Sequence, residues 1–139
     1  IVSLPPVWRW GRIGLRAFFT RDNLEGSLGS FYVDPSFLSE ADYDAYARVL
    51  LTPRWEIGLL ALTRDSAGNL LGEDRVRTIS APTLIIWGDQ DTVTPLQDGE
   101  RLAQLIAGSR LEIIPDAGHQ PYEEAAERFN ALLITYLSE

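Results

Sequence analysis

The longest run of regular apolar spacing lies at the end of the chain. There Tyr122, Ala125, Ala126, Phe129, Leu132, Leu133, Tyr136 and Leu137 recur at helical intervals and predict an amphipathic helix over 122–137. Upstream, Thr83–Trp87 and Leu111–Ile114 are short continuous apolar runs closed by Gly88 and Pro115. Such runs predict strands covered on both faces within a parallel sheet. Between them Thr94, Pro95 and Gln97 read as N-cap, first-turn proline and capping-box glutamine of a helix running to Ala107 and stopped by Gly108. Strand, helix, strand, helix with a right-handed crossover is the unit of an open α/β sheet.

Before Ser80-Ala81-Pro82 the pattern changes, and residues 1–79 read as helices joined by turns. Val7–Thr20 places Trp8, Leu15, Phe18 and Phe19 on one helical face, although Gly11 and Gly14 weaken it. Arg21–Pro35 reads as a loop broken by Asn23, Gly26 and Gly29. Ser39 and Asp42 form a capping-box pattern that opens a helix with Tyr43, Tyr46, Ala47, Leu50 and Leu51 inward. Thr52 then reads as the N-cap, and Pro53 as the first residue, of a further helix carrying Trp55, Leu59 and Leu62, which ends at Ala67-Gly68-Asn69.

Two strands do not complete a parallel sheet, because parallel strands are buried within larger sheets and an open edge invites pairing. The chain is therefore expected to need more chain, or a second chain, to fold stably.

Composition narrows the function classes. Of 139 residues, 45% are hydrophobic and 23% charged, an ordinary globular balance. Cysteine is absent, which excludes disulfides, thiolate metal sites and a cysteine nucleophile within the chain. All basic residues are arginine, and the net charge is −8 with no basic run, which argues against a nucleic-acid partner. No apolar run reaches the ~18 residues of a membrane span. Ile1–Pro6 lacks the charged start and apolar core of a secretory leader, so a cytoplasmic location is the default expectation.

Functional residues of open α/β sheets gather at the carboxyl ends of the strands. Both predicted strands end in polar segments, Gly88-Asp89-Gln90-Asp91-Thr92-Val93-Thr94-Pro95 and Pro115-Asp116-Ala117-Gly118-His119-Gln120-Pro121. If the strands are adjacent and parallel, Asp91 and His119 stand on neighbouring loops within reach of a carboxylate–imidazole hydrogen bond. A carboxylate so placed fixes the tautomer of the imidazole and leaves its other nitrogen to accept a proton. Asp89 reads as a solvated loop residue and Asp116 as a turn residue. As a metal site, Asp89, Asp91 and His119 would need more ligands than the sequence offers, and no cofactor is expected.

The run Ala81-Pro82-Thr83-Leu84-Ile85-Ile86-Trp87-Gly88-x-x-Asp91, then Thr94-Pro95, then Ile114-Pro115-Asp116-Ala117-Gly118-His119, closely resembles the end of the α/β-hydrolase fold. The resemblance implies that Asp91 is the triad acid, on the loop after the seventh strand, and His119 the catalytic base, after the eighth. It covers residues 80–139, the C-terminal part of the core, with 122–137 as the last helix. More loosely, residues 1–79 resemble the helical cap that roofs such sites. The family nucleophile sits on a Gly-x-Ser-x-Gly turn, and no such motif occurs here. Gly26-Ser27-Leu28-Gly29-Ser30 has the wrong spacing and no strand before it. The oxyanion-hole segment is missing too.

The expected architecture is thus a cap followed by two strands and two flanking helices of an open parallel sheet. The expected function is that of a serine ester hydrolase lacking its nucleophile in this chain. An epoxide hydrolase with an aspartate nucleophile, and an inactive fragment that folds only by association, are the alternatives. The expected partners are a small apolar substrate and either a complementary nucleophile-bearing segment or a second copy. Trp8, Phe18, Phe19, Phe31, Tyr32 and Trp55 are the aromatic candidates for an apolar pocket roof, against packing as their alternative role.

Overall fold

The computed structural model describes the backbone of residues 5–68 and 72–139 and, within these, the side chains of 9–64 and 72–139. In chain order the helices are α1 (Pro5–Phe18), α2 (Arg21–Gly29), α3 (Glu40–Ala47), α4 (Trp55–Gly68) and α5 (Glu73–Val76). Then come β1 (Leu84–Gly88), α6 (Leu96–Leu105), β2 (Arg110–Ile114), α7 (Pro121–Glu124) and α8 (Ala126–Leu137). Short 3-10 turns occupy Pro35–Phe37 and Arg48–Leu51. Contacts divide the chain into two compact units, one of residues 1–27 and 38–70 and the other of 28–37 and 71–139.

The first unit is helical. Glu56 on α4 is fully buried, and its carboxylate accepts hydrogen bonds from Arg12, at 3.0 and 2.7 Å, and from Arg16, at 3.2 Å, on α1. Burial alone would raise its pKa, but the two guanidinium groups and a backbone hydrogen bond outweigh that and lower it from 4.5 to about 2. Phe19 meets Phe18 and Trp55 edge-on, with ring centroids 5.3 and 5.6 Å apart. Ser39 caps α3 in the capping box expected with Asp42.

Three expectations fail in this unit. Tyr46 and Leu51, expected inward, are exposed, because the helix ends at Ala47 and 48–51 tighten into a 3-10 turn. Residues 21–29 form α2 rather than a loop, because Thr20 caps it: the Thr20 hydroxyl accepts the Asn23 N–H and its carbonyl the Leu24 N–H. Asn23 turns back to donate to the Phe18 carbonyl at 2.6 Å, so this supposed breaker joins two helix ends. Thr52 and Pro53 do not open α4. They belong to a turn that Arg54 completes at φ 63, and the helix begins at Trp55.

The second unit holds the sheet. β1 and β2 pair in parallel from Leu84↔Arg110 to Gly88↔Ile114, the arrangement the apolar runs predict. Ile85, Leu105, Ile106, Ile114 and Ala117 form its buried core. Beyond the strands, the Asp89 N–H donates to the Ile114 carbonyl and the Gln90 N–H to the Ala117 carbonyl. Asp89 in turn accepts the Asp116 N–H at 2.8 Å, and Asp116 accepts the Gln90 amide at 2.9 Å. Asp89, read as a solvated loop residue, and Asp116, read as a turn residue, thus tie the two carboxyl-end loops together.

Two helix boundaries depart from expectation here. Pro95 rather than Thr94 is the N-cap of α6, with no side-chain cap, because the Thr94 hydroxyl is engaged by Asp91. The helix expected over 122–137 is broken at Ala125, whose φ −130 and ψ 46 separate α7 from α8. Among the described residues, no helix is long and apolar enough to cross a membrane.

Candidate active site

The turn after β1 is built around one carboxylate. Asp91 Oδ1 accepts the N–H groups of Val93 and Thr94, both at 2.8 Å, and Oδ2 accepts the Thr94 hydroxyl at 2.7 Å. These bonds fold 91–94 into a tight turn and fix the side chain, which is only 5% exposed. Trp87 at the end of β1 donates its indole N–H to the Thr94 carbonyl at 3.0 Å, anchoring the turn to the strand.

His119 approaches from the loop after β2. Its Nδ1 lies 2.9 Å from Asp91 Oδ2 and 3.3 Å from the Thr94 hydroxyl oxygen. Burial pushes the Asp91 pKa up, but hydrogen bonds from His119, from the Thr94 N–H and hydroxyl and from the Val93 N–H outweigh it, and the net shift is downward. An ionised Asp91 only accepts, and the Thr94 hydroxyl spends its proton on it. Nδ1 must then be the donor, and the lone pair falls on Nε2.

The close approach of the two loops depends on glycine. A Cβ at Gly88 would lie 2.2 Å from the carbonyl oxygens of Ala117 and Gly118, and one at Gly118 would lie 2.7 Å from the Phe31 carbonyl oxygen. The segment 28–37 closes over the His119 loop. The His119 N–H donates to the Phe31 carbonyl at 2.7 Å, and the Phe31 ring meets the imidazole edge-on at 5.3 Å. Thr92 donates to the Ser30 carbonyl at 3.3 Å.

A cavity of about 220 Å³ adjoins the pair, with Ile86, Trp87, Tyr122 and Phe129 beside Asp91, Thr94 and His119 in its wall. Of the six aromatic candidates, Phe31 and Tyr32 belong to this unit, Phe31 against the imidazole and Tyr32 buried. Tyr32 stacks on Phe37 and gives its hydroxyl to Glu123 at 2.6 Å. Phe18, Phe19 and Trp55 pack together in the helical unit, and the Trp8 side chain lies outside the described residues. Trp87, Thr94, Tyr122 and Phe129 are not among the site candidates the sequence offers, which gives them roles in strand, cap and helix instead. For Trp87 a signal existed, because it stands next to the end of a strand whose following loop carries Asp91. Among the described residues, no three histidine, aspartate or glutamate side chains gather as a metal site.

With this geometry in place, comparison with known proteins is decisive about the family. The family model described as alpha/beta hydrolase fold matches residues 15–126. The chain belongs to the α/β-hydrolase family. It is 34% identical over 121 residues to the 2-hydroxy-6-oxononadienedioate/2-hydroxy-6-oxononatrienedioate hydrolase of Klebsiella pneumoniae, covering 86% of this chain and 42% of that one. The hydrolase of the same description from Escherichia coli is 32% identical over the same length. Among solved structures, a meta-cleavage product hydrolase from Pseudomonas fluorescens IP01 superposes with a TM-score of 0.77 at 22% identity, covering 92% of this chain and 49% of that one. A serine hydrolase involved in carbazole degradation gives 0.73 at 25% identity, covering 86% and 48%. The chain thus spans about half the length of these relatives, and its sheet, helices and loops form a C-terminal portion of the α/β-hydrolase fold.

Proposed function

We propose that the chain supplies the acid, Asp91, and the base, His119, of a serine-dependent hydrolase whose nucleophile and oxyanion hole come from a complementary segment. The observation that carries this reading is the 2.9 Å contact of His119 Nδ1 with an ionised, immobilised Asp91, which leaves Nε2 as the proton acceptor. In the reaction, the nucleophile's hydroxyl oxygen bonds to the substrate carbonyl carbon while its proton passes to Nε2. Asp91 stabilises the imidazolium, which then protonates the leaving group. Water, deprotonated by the same nitrogen, releases the second product.

Supporting a complementary segment, the described sheet has only two strands, and Ile113, Ile134 and Leu137 in the same unit are 39%, 64% and 73% exposed. An edge of that kind is completed by further strands. For the substrate, the sequence favours an ester of an apolar acid or alcohol. The names of the relatives favour a 2-hydroxy-6-oxo dienoate acid, also attacked at a carbonyl carbon, and this is the substrate class proposed here. The cavity wall of Ile86, Trp87, Tyr122 and Phe129 offers apolar surface for a flat unsaturated chain.

The test mixes the chain with a nucleophile-bearing segment of the Klebsiella relative and follows hydrolysis of 2-hydroxy-6-oxononadienedioate and 4-nitrophenyl acetate. Turnover is expected from the mixture, not from the chain alone, and not from a mixture carrying His119→Ala. Turnover by the chain alone, turnover that survives His119→Ala, or an inactive wild-type mixture would each overturn the proposal.

A further inference from the structure

Nothing in the acid–base chemistry accounts for Glu124, yet its carboxylate occupies a singular position. Oε2 accepts the Gly118 N–H at 2.7 Å and Oε1 accepts the Val33 N–H at 2.6 Å. One side chain therefore bridges the residue before the base and the segment that covers it. Gly118 and Val33 are 85 positions apart in sequence but are joined here through a single carboxylate.

The bridge closes a small ring of contacts around His119. On one side the His119 N–H donates to the Phe31 carbonyl at 2.7 Å, and on the other the neighbouring Gly118 N–H is held by Glu124. Consecutive amides of the base loop are thus fixed by two different partners, and those partners are tied to each other through Val33. Room for this exists only because residue 118 has no side chain: a Cβ there would lie 2.7 Å from the Phe31 oxygen and 3.1 Å from Glu124 Oε2. The Phe31 ring, edge-on to the imidazole at 5.3 Å, is placed by the same backbone. A shift of the 118–119 backbone would carry the imidazole away from Asp91, where a hydrogen bond weakens steeply with misalignment.

We propose that Glu124 is the positioning residue of the base: by accepting the Gly118 and Val33 amides on separate oxygens, it locks the 31–33 segment against the base loop and so sets how His119 meets Asp91. The inference rests on the reading of Asp91 and His119 given above. The two bonds need two acceptor oxygens. Glutamine at this position has one oxygen and a donor amide, so it must abandon one of the two amides. An aspartate keeps the charge but is one methylene too short to span both. The neighbouring Glu123, bound to the Tyr32 hydroxyl rather than to the base loop, is the matched control.

His119 is the only histidine of the chain, so an ¹⁵N-labelled sample, alone or with an unlabelled complementary segment, shows a single imidazole. Wild-type chain should give the Nδ1–H tautomer, and Glu123→Gln should leave it unchanged. Glu124→Gln and Glu124→Asp, with the amide spectrum still that of a folded chain, should give an averaged mixture of tautomers. Either folded Glu124 variant with the wild-type imidazole pattern would overturn the proposal. Should neither variant fold, amide exchange in the wild type decides: Gly118, His119 and Val33 should be protected together, and exchange of Gly118 or Val33 at the rate of open loops would overturn it. A wild type lacking the Nδ1–H tautomer would instead overturn the reading of the acid–base pair itself, so the two failures are distinguishable.

Discussion

Gly88 and Ala117 approach so closely that a single methyl group would not fit between them: a Cβ on Gly88 would lie 2.2 Å from the Ala117 carbonyl oxygen. The atoms facing it are backbone and cannot swing aside as a side chain could. Gly88→Ala should therefore push the His119 loop off β1 and cost on the order of 1–3 kcal/mol or more in stability. Urea unfolding followed by circular dichroism checks this, and an unchanged midpoint would mean the loops are not in this contact.

Thr94 gives its hydroxyl to Asp91 Oδ2 and lies 3.3 Å from His119 Nδ1. Thr94→Val keeps the shape and removes the donor, at a cost of roughly 0.5–1.5 kcal/mol. The Asp91 pKa should then move back toward its ordinary value, because one of the hydrogen bonds that depress it is gone. Titration of the Asp91 carboxyl carbon by NMR reads the shift directly, and an unmoved titration would remove Thr94 from the site.

How much of this was legible beforehand depends on the range of the interactions. The strands and their parallel pairing were readable because unbroken apolar runs closed by Gly88 and Pro115 encode them locally. The meeting of Asp91 and His119 followed from placing two loops at one sheet edge. The role of residues 28–37 was not readable, since it is written in contacts with residues far along the chain, such as Phe31 with His119 and Val33 with Glu124. Glu123 and Glu124 look like the solvated face of a helix until the break at Ala125, which no glycine or proline at that position announces. Helix α2 was hidden behind Asn23 and Gly26, whose usual meaning was overridden by the Thr20 cap.

The helical unit should carry an acid-sensitive component of stability. The folded Glu56 carboxyl sits at about 2 against an ordinary 4.5, so between these values the unfolded chain binds a proton that the folded chain does not. Stability from this group is therefore fully present above 4.5 and is lost as the pH falls through about 2. Glu56→Gln should flatten the acid limb of a stability–pH curve followed by tryptophan fluorescence. An identical limb in the variant would contradict the ion-pair assignment to Arg12 and Arg16.

The open two-stranded sheet and exposed Ile113, Ile134 and Leu137 should make the chain associate in the absence of a complementary segment. Light scattering after size exclusion should give a mass that rises with protein concentration. A well-folded monomer at every concentration would show that the sheet needs no completion.

The proposed chemistry depends on Asp91 holding His119 with its proton on Nδ1 and its lone pair on Nε2. The ¹⁵N shifts and two-bond proton couplings of the single imidazole, compared between wild type and Asp91→Asn near neutral pH, test it most directly. The wild type should show an Nδ1–H tautomer that is lost in the variant. A wild-type imidazole protonated on Nε2 alone, or one indifferent to the substitution, would contradict it.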